Sequence, residues 1–266
     1  MSIPSFGVCR LNVISVRAEG SDKSEQVTQL LFGDHYEVID KSQNGKWLKI
    51  RIFLDHYEGW IDHLQHHEIS SEYFEHINRT EFKITTDLTS TMLYNKNPMV
   101  ILMGSMIPIS SSELFRMEEQ FAFNGDAKNA GLKREAEFLR NIAMKYLYSP
   151  YQWGGKTPFG IDCSGFTQMV FRICGYHLFR DAWQQAKQGK AVKGFGEARH
   201  GDLVFFQNDQ NRINHVGILV GSEKIIHASG RVRIDQVSEA GILNSDTKQI
   251  THTFSHIRRI LSEAGL

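Results

Sequence analysis

The chain has 266 residues, with 30 Lys and Arg against 30 Asp and Glu, and it is 41% hydrophobic and 23% charged. That profile is globular, long enough for one large domain or two to three small ones, and it excludes a strongly basic nucleic-acid binder, an acidic solvating chain and a disordered one. The zero net charge is uneven: residues 1–130 hold 12 basic and 18 acidic side chains, net −6, and residues 131–266 hold 18 and 12, net +6, as expected of two parts with different surfaces.

Three cysteines, Cys9, Cys163 and Cys174, cannot make a disulfide framework and suit a reducing compartment. The first ten residues lack a basic leader segment and place Pro4 where an apolar helix would begin. The longest apolar run, residues 99–103, is too short to span a bilayer. The expectation is a cytoplasmic monomer whose partners are neither nucleic acid nor membrane.

From Phe6 to Ile69 short β-rich segments alternate with polar turns. Val13-Ile14-Ser15-Val16-Arg17, residues 29–34 and 36–39, Trp47-Leu48-Lys49-Ile50-Arg51-Ile52 and Tyr57-Glu58-Gly59-Trp60-Ile61 read as five strands, with Asn44-Gly45 as a hairpin turn. Five strands in so short a stretch predict a small antiparallel barrel over residues 1–72. Val16-Arg17-Ala18-Glu19, Gln29-Leu30-Leu31-Phe32-Gly33-Asp34, Trp47-Leu48-Lys49-Ile50 and Tyr57-Glu58-Gly59-Trp60-Ile61 make this segment resemble the bacterial SH3-like domains found beside cell-wall peptidases. His63, His66 and His67 lack an accompanying cysteine or carboxylate cluster and read as a solvated boundary rather than a metal site. Residues 73–130 read as a second, degenerate SH3-like barrel or an elaborated linker, with strands at 100–105, Met106-Ile107-Pro108-Ile109 and Phe115-Arg116-Met117.

After Gly131 the texture changes. Residues 135–148 carry apolar side chains at helical spacing and end at Ser149-Pro150, and residues 162–174 repeat the pattern with Phe166, Met169, Val170 and Ile173 on one face. Residues 202–206, 216–220 and 224–227 read as strands. Helices followed by an antiparallel sheet predict an α+β domain over 131–266.

Cys163 stands in the first turn of the second helix, after the glycine-rich loop Gly154-Gly155 to Gly160 and behind Asp162 at the N-cap. A helix N-terminus favours thiolate and predicts a lowered thiol pKa; Cys9 and Cys174 have the apolar neighbours of inert core thiols. A nucleophilic cysteine needs a base, and the base an orienter. If Gly221-Ser222-Glu223 is a three-residue loop, Val220 faces Lys224 and Gly217 faces His227. His215 and His227 are then same-face diagonal neighbours, roughly 7–8 Å apart at Cβ, whereas an even loop would set them on opposite faces. The expected roles are Cys163 as nucleophile, His215 as general base and acid, and His227 as orienter, with main-chain N–H groups at the helix start receiving the oxyanion.

Six ordered motifs, Tyr151-Gln152-Trp153-Gly154-Gly155, Asp162-Cys163-Ser164-Gly165-Phe166, Arg180-Asp181-Ala182-Trp183-Gln184-Gln185, Gly201-Asp202-Leu203-Val204-Phe205-Phe206, Asn214-His215-Val216-Gly217-Ile218 and His227-Ala228-Ser229-Gly230, make residues 131–260 resemble the NlpC-type papain-like cysteine peptidases. The family's Cys, His and polar third residue fall on Cys163, His215 and His227. With the SH3-like region ahead, the arrangement is similar to dipeptidyl-peptidase VI-type γ-D-glutamyl-L-diamino acid endopeptidases. That resemblance implies cleavage of murein peptides after L-Ala-γ-D-Glu, before L-Lys or diaminopimelate, with a free N-terminal L-Ala and no metal or other cofactor. It assigns the substrate ammonium to Asp162 and a tyrosine of the SH3-like domain, and the dipeptide pocket to Tyr151, Trp153 and Ser164. Tyr57 and Glu25 are the candidates for a wall that blocks one end of the cleft. An amidase or acyltransferase on the same scaffold, an inactive peptide-binding module, and a zinc site at Cys163, His215 and His227 stand as alternatives.

Overall fold

In the computed structural model, which describes residues 5–79, 82–107 and 121–261, the chain divides into two compact units, Met1–Leu132 and Lys133–Leu266. The β-rich segments of the first unit form β1 (Ser5–Val8), β2 (Val13–Arg17), β3 (Gln26–Leu31), β4 (His35–Lys41), β5 (Trp47–Ile52), β6 (Glu58–Asp62) and β7 (Glu68–Ile69). They make one antiparallel sheet in the order β3-β2-β6-β5-β4-β1-β7. Alternation turns Ile14 and Val16 of β2 inward, where they meet Cys9, Leu30, Tyr36, Leu48, Ile50 and Ile61. Gly45 takes φ 72° in the turn between β4 and β5, as the Asn-Gly pair predicts. The strands β1 and β7, which pair with each other, escape the sequence pattern because each is short. His66 is half-buried, its Nδ1 3.2 Å from Tyr36 Oη, so it packs on the barrel rather than standing in solvent.

A helix the sequence reading lacks, α1 (Ser71–Arg79), follows. Only Phe74 and Ile77 are buried on it, too few apolar positions for a helical period to stand out. The strands β8 (Lys83–Thr85), β9 (Thr89–Tyr94), β10 (Asn97–Leu102), β11 (Met106–Ile107), β12 (Phe121–Asn124) and β13 (Ala127–Asn129) form two three-stranded sheets, β10-β9-β12 and β11-β8-β13. Met92, Ile101 and Ile107 gather there around Phe32, from the turn between β3 and β4. The backbone of that turn comes so close that a Cβ on Gly33, at φ 86°, would stand 2.1 Å from the Met106 carbonyl oxygen. The strand expected at Phe115-Arg116-Met117, and the Pro108-Ile109 end of its neighbour, lie outside the described residues.

The second unit has the expected α+β texture. Helix α2 (Ala136–Lys145) buries Leu139, Ile142 and Ala143, and it ends earlier than the pattern implied because Tyr148 turns to φ 70° ahead of Pro150. The hairpin of β14 (Lys156–Thr157) and β15 (Gly160–Ile161) leads into α3 (Cys163–Ile173), followed by α4 (Ala182–Gln185). The sheet runs β16-β22-β17-β18-β19-β20-β21, from β16 (Lys190–Val192), β17 (Leu203–Gln207), β18 (Ile213–Gly221), β19 (Lys224–Ser229), β20 (Arg231–Ser238), β21 (Gly241–Leu243) and β22 (Ile250–Arg259). A further pairing of β21 with β22 closes six of these strands on themselves.

The expected one-sided burial of the second helix is corrected: all eleven residues of α3 are buried. It is the central helix, contacted by α2, α4, β18 and β19. Its polar residues are accommodated by hydrogen bonds, Thr167 Oγ1 donating to Gln185 Oε1 at 2.7 Å and Gln168 Nε2 to the Leu178 carbonyl at 3.0 Å.

Candidate active site

The start of α3 is fixed by its N-cap. Asp162 Oδ1 accepts from the Gly165 N–H at 2.6 Å, and Oδ2 accepts from the Gly154 N–H at 2.9 Å, so one carboxylate ties the helix to the glycine loop. Both oxygens also accept from the Arg180 guanidinium, which is 1% exposed and donates to Ser164 Oγ at 2.9 Å. The loop and helix approach so closely that a Cβ on Gly165 would meet the Gly155 carbonyl oxygen at 2.3 Å. Gln185, fully buried, adds a second clamp by donating from Nε2 to the Ser164 carbonyl at 3.0 Å.

This scaffold holds Cys163 in a buried position. Main-chain N–H groups of Val216 and Ser164 reach its sulfur and favour the thiolate, as does the nearby Arg180 charge, but burial and the Asp162 carboxylate outweigh them and push the thiol up to about 12. The lowered pKa expected from the helix N-terminus is therefore not found in the free protein. Cys163 rests as a neutral thiol, and to act as a nucleophile it would have to pass its proton to a base.

The candidate for that base stands on β18. The Val216 contact brings the strand residue next to His215 onto the sulfur. His215 and His227 share a face, with His215 Nε2 2.8 Å from His227 Nδ1. The register differs from the expected one in an instructive way. Gly217 does pair with His227, yet Gly221 pairs with Lys224, leaving a two-residue loop. An even loop alone would have split the two histidines between faces, but a bulge between Leu219 and Gly221 takes up one residue and restores the phase.

The chain of contacts continues past the sequence reading. His227 Nε2 lies 3.0 Å from Asp235 Oδ2, and Asp235 Oδ1 accepts from the Ser245 N–H at 2.9 Å and from Arg233 Nη2 at 3.0 Å. Burial works against the Asp235 charge, but hydrogen bonds from His227, Arg233 and Ser245 outweigh it and hold the carboxyl well below its usual range. Burial likewise lowers His227 and, far more, His215, so both imidazoles are neutral. An ionised Asp235 only accepts, which sets the proton of His227 on Nε2 and leaves Nδ1 as acceptor. His215 must then donate from Nε2, and its Nδ1 lone pair is left to take a proton. Asp235 had one sequence signal, the alternation of Arg231, Arg233 and Asp235 on a strand next to His227.

His252 stacks on His215 with ring centroids 4.0 Å apart. Tyr151 is close enough to Cys163 and Asp162 that both, after burial, raise its phenol. Ser164 is buried beneath Arg180, whereas Trp153 is 61% exposed on the loop before α3. Asp162, assigned by resemblance to a substrate ammonium, is 5% exposed and engaged by Arg180, Gly154, Gly165 and Ser164. In the first unit, Tyr57 packs against the barrel core and Glu25 is exposed beside β3. Among the described residues, no three His, Cys, Asp or Glu side chains group as metal ligands do.

Residues 148–251 match the NlpC/P60 family, and residues 16–65 match the bacterial dipeptidyl-peptidase Sh3 domain. The gamma-D-glutamyl-L-lysine dipeptidyl-peptidase of Bacillus subtilis (strain 168) is 28% identical over 242 residues, 84% of this chain and 75% of that protein. Dipeptidyl-peptidase 6 of Lysinibacillus sphaericus is 27% identical over 238 residues, 80% of this chain and 83% of that protein. The crystal structure of an NlpC/P60 family protein from Bacillus cereus ATCC 10987 superposes with a TM-score of 0.79 at 21% identity, covering 97% of this chain and 100% of the other, which establishes the shared fold.

Proposed function

This chain is a cysteine peptidase that carries an NlpC/P60 domain behind a bacterial dipeptidyl-peptidase SH3 domain, and from that premise we propose that it hydrolyses the γ-D-Glu–diamino acid bond of short murein peptides with a free N-terminal L-Ala. The products are L-Ala-γ-D-Glu and the remaining peptide, and the work belongs to murein peptide recycling in the cytoplasm by a monomer. The observation that carries the chemistry is the hydrogen-bonded line from Asp235 through His227 to His215, whose strand neighbour Val216 reaches the Cys163 sulfur. The similarity to the two dipeptidyl-peptidases extends over most of this chain, and it supports the substrate class.

In this reading His215 Nδ1 takes the Cys163 proton as the sulfur attacks the γ-carbonyl carbon. The main-chain N–H of Cys163, at the start of α3, receives the oxyanion. As the C–N bond breaks, His215 returns the proton to the departing α-amine of the diamino acid, leaving a thioester on Cys163. Water, deprotonated by His215, then attacks the thioester and releases L-Ala-γ-D-Glu with the thiol restored.

Mass spectrometry of products from L-Ala-γ-D-Glu-L-Lys and L-Ala-γ-D-Glu-diaminopimelate peptides, beside α-linked and N-acetylated versions, tests the proposal. The expected result is L-Ala-γ-D-Glu from the γ-linked, free-amine peptides and no turnover by Cys163→Ala. Equal cleavage of the α-linked peptides would refute it.

A further inference from the structure

Nothing in the reaction scheme above fixes the plane of the His215 ring. The hydrogen bond to His227 pins one atom, Nε2, and leaves the imidazole free to tilt about that contact, carrying Nδ1 off line. The structure supplies what the hydrogen bond lacks. His252, on β22, lies face to face with His215 at a centroid separation of 4.0 Å and an interplanar angle of 28°. Phe206, on β17, packs on both rings at 5.8 and 6.0 Å. His252 is itself held by register, pairing with Ile242 of β21, and its Nδ1 is 2.9 Å from Thr251 Oγ1.

We propose that His252 is a positioning residue for the thiol chemistry: its ring backs His215 and holds the imidazole in the plane that presents Nδ1 to the Cys163 proton. The inference rests on His215 as the base, and it concerns a residue one position beyond the segment that matches the family. Burial, then the neighbouring His227, pushes His252 down to about 4, against a smaller pull from Asp235, so the stacked face is uncharged in neutral solution. The titratable groups facing it are His215 on β18, His227 on β19 and Asp235 on β20; Phe206 on β17 and Ile242 on β21 bring no charge. An uncharged π-face at this distance also tolerates the imidazolium that forms when His215 accepts the proton, as an aromatic face tolerates a cation.

Two variants of the full chain separate positioning from mere filling of space. His252→Phe keeps an aromatic face and loses the polar atoms, and His252→Ala removes the plane. Histidine-labelled protein read by 15N NMR reports the ring motion of His215 through its line widths without any substrate, which keeps this test independent of the murein-peptide proposal. The expected result is sharp His215 ring signals in the native chain and in His252→Phe and exchange-broadened ones in His252→Ala, with the Nε2–H tautomer that Asp235 sets through His227 kept in all three. On the cleaved peptide, kcat in His252→Ala should fall about tenfold or more with KM little changed, while His252→Phe stays within about threefold. His215 signals as sharp as the native ones together with an unchanged kcat in folded His252→Ala overturn the inference. A His252→Phe as defective as His252→Ala also overturns it, transferring the role to the hydrogen bond with Thr251.

Discussion

Asp235 Oδ2 lies 3.0 Å from His227 Nε2, and this contact fixes the proton on both imidazoles of the relay. Asp235→Asn keeps the shape and removes the charge. With the Asn oxygen turned to Arg233, its amide donates toward His227, which reverses the tautomer of His227 and puts a proton on the His215 nitrogen that should accept one. We expect kcat to fall by roughly 10²-fold or more, with the substrate bound as before. Steady-state kinetics on the γ-linked peptide checks this, and a variant within a factor of two of the native enzyme would show that the relay ends at His227.

Cys163 rests as a neutral thiol and His215 as a neutral imidazole, since burial pushes one pKa up to about 12 and the other well down. Its alkylation by iodoacetamide should therefore be slow in neutral solution and climb close to tenfold per pH unit from about pH 6 to about pH 9, following the thiolate fraction. A thiolate–imidazolium pair would instead give a rate already level near neutrality. Cys9 and Cys174 are fully buried, so a Cys163→Ala control isolates the signal.

The same depressed histidines make the fold acid-sensitive. Imidazoles in the unfolded chain titrate near 6.5, while folded His215, His227 and His252 titrate lower. Above 6.5 neither state binds these protons and no stability is lost. As pH falls below 6.5 the unfolded chain takes up protons that the folded one refuses, and for His252 the loss is complete only near pH 4. Asp235, lowered below 3.8, keeps its full contribution through this window and loses it only at lower pH. Thermal unfolding midpoints should drop steadily between about pH 6.5 and about pH 4.5, with a shallower drop in His252→Phe. A midpoint flat across that window would contradict the burial argument.

Arg180 is 1% exposed and bonds both oxygens of Asp162. Arg180→Ala leaves that carboxylate buried with two N–H partners and no counter-charge, at a cost of about 3–5 kcal/mol. Urea unfolding should show this, and Arg180→Lys should recover only part because a lysine cannot reproduce the two-pronged contact. A loss below about 1 kcal/mol would mean that water replaces the guanidinium.

The fold was legible in the sequence where period and turn chemistry agree. Asn44-Gly45 fixed a hairpin, Asp162 capped a helix, and the strand carrying His215 lay where its apolar run predicted. What escaped depends on tertiary packing. The bulge at Val220 has no local signal, and without it the two-residue loop would have argued against the His215–His227 contact. The burial of all of α3 comes from partners on every side, which its own apolar stripe does not report. Asp235 and His252 reach the site from strands β20 and β22, so only the sheet order brings them there. The thiol pKa went the wrong way because the helix terminus was weighed and the cost of burial was not.

The −6 and +6 halves of the chain lead to a prediction about the substrate amine. A murein peptide with free L-Ala carries an ammonium at one end and carboxylates along its length, and the sequence offers Tyr57 and Glu25 of the acidic half as candidates for a wall that admits only the free amine. Tyr57→Phe removes a hydroxyl acceptor and Glu25→Gln a charge. Each should raise KM for the free-amine peptide several-fold, by about 1 kcal/mol for one lost polar contact, with kcat nearly unchanged. Glu25 is exposed, so its effect should also shrink as salt screens it. Activity on N-acetylated peptide, native and variant alike, should be near background. If the acetylated peptide is cleaved as well as the free one, the SH3 domain does not read the amine, and neither residue belongs to the site.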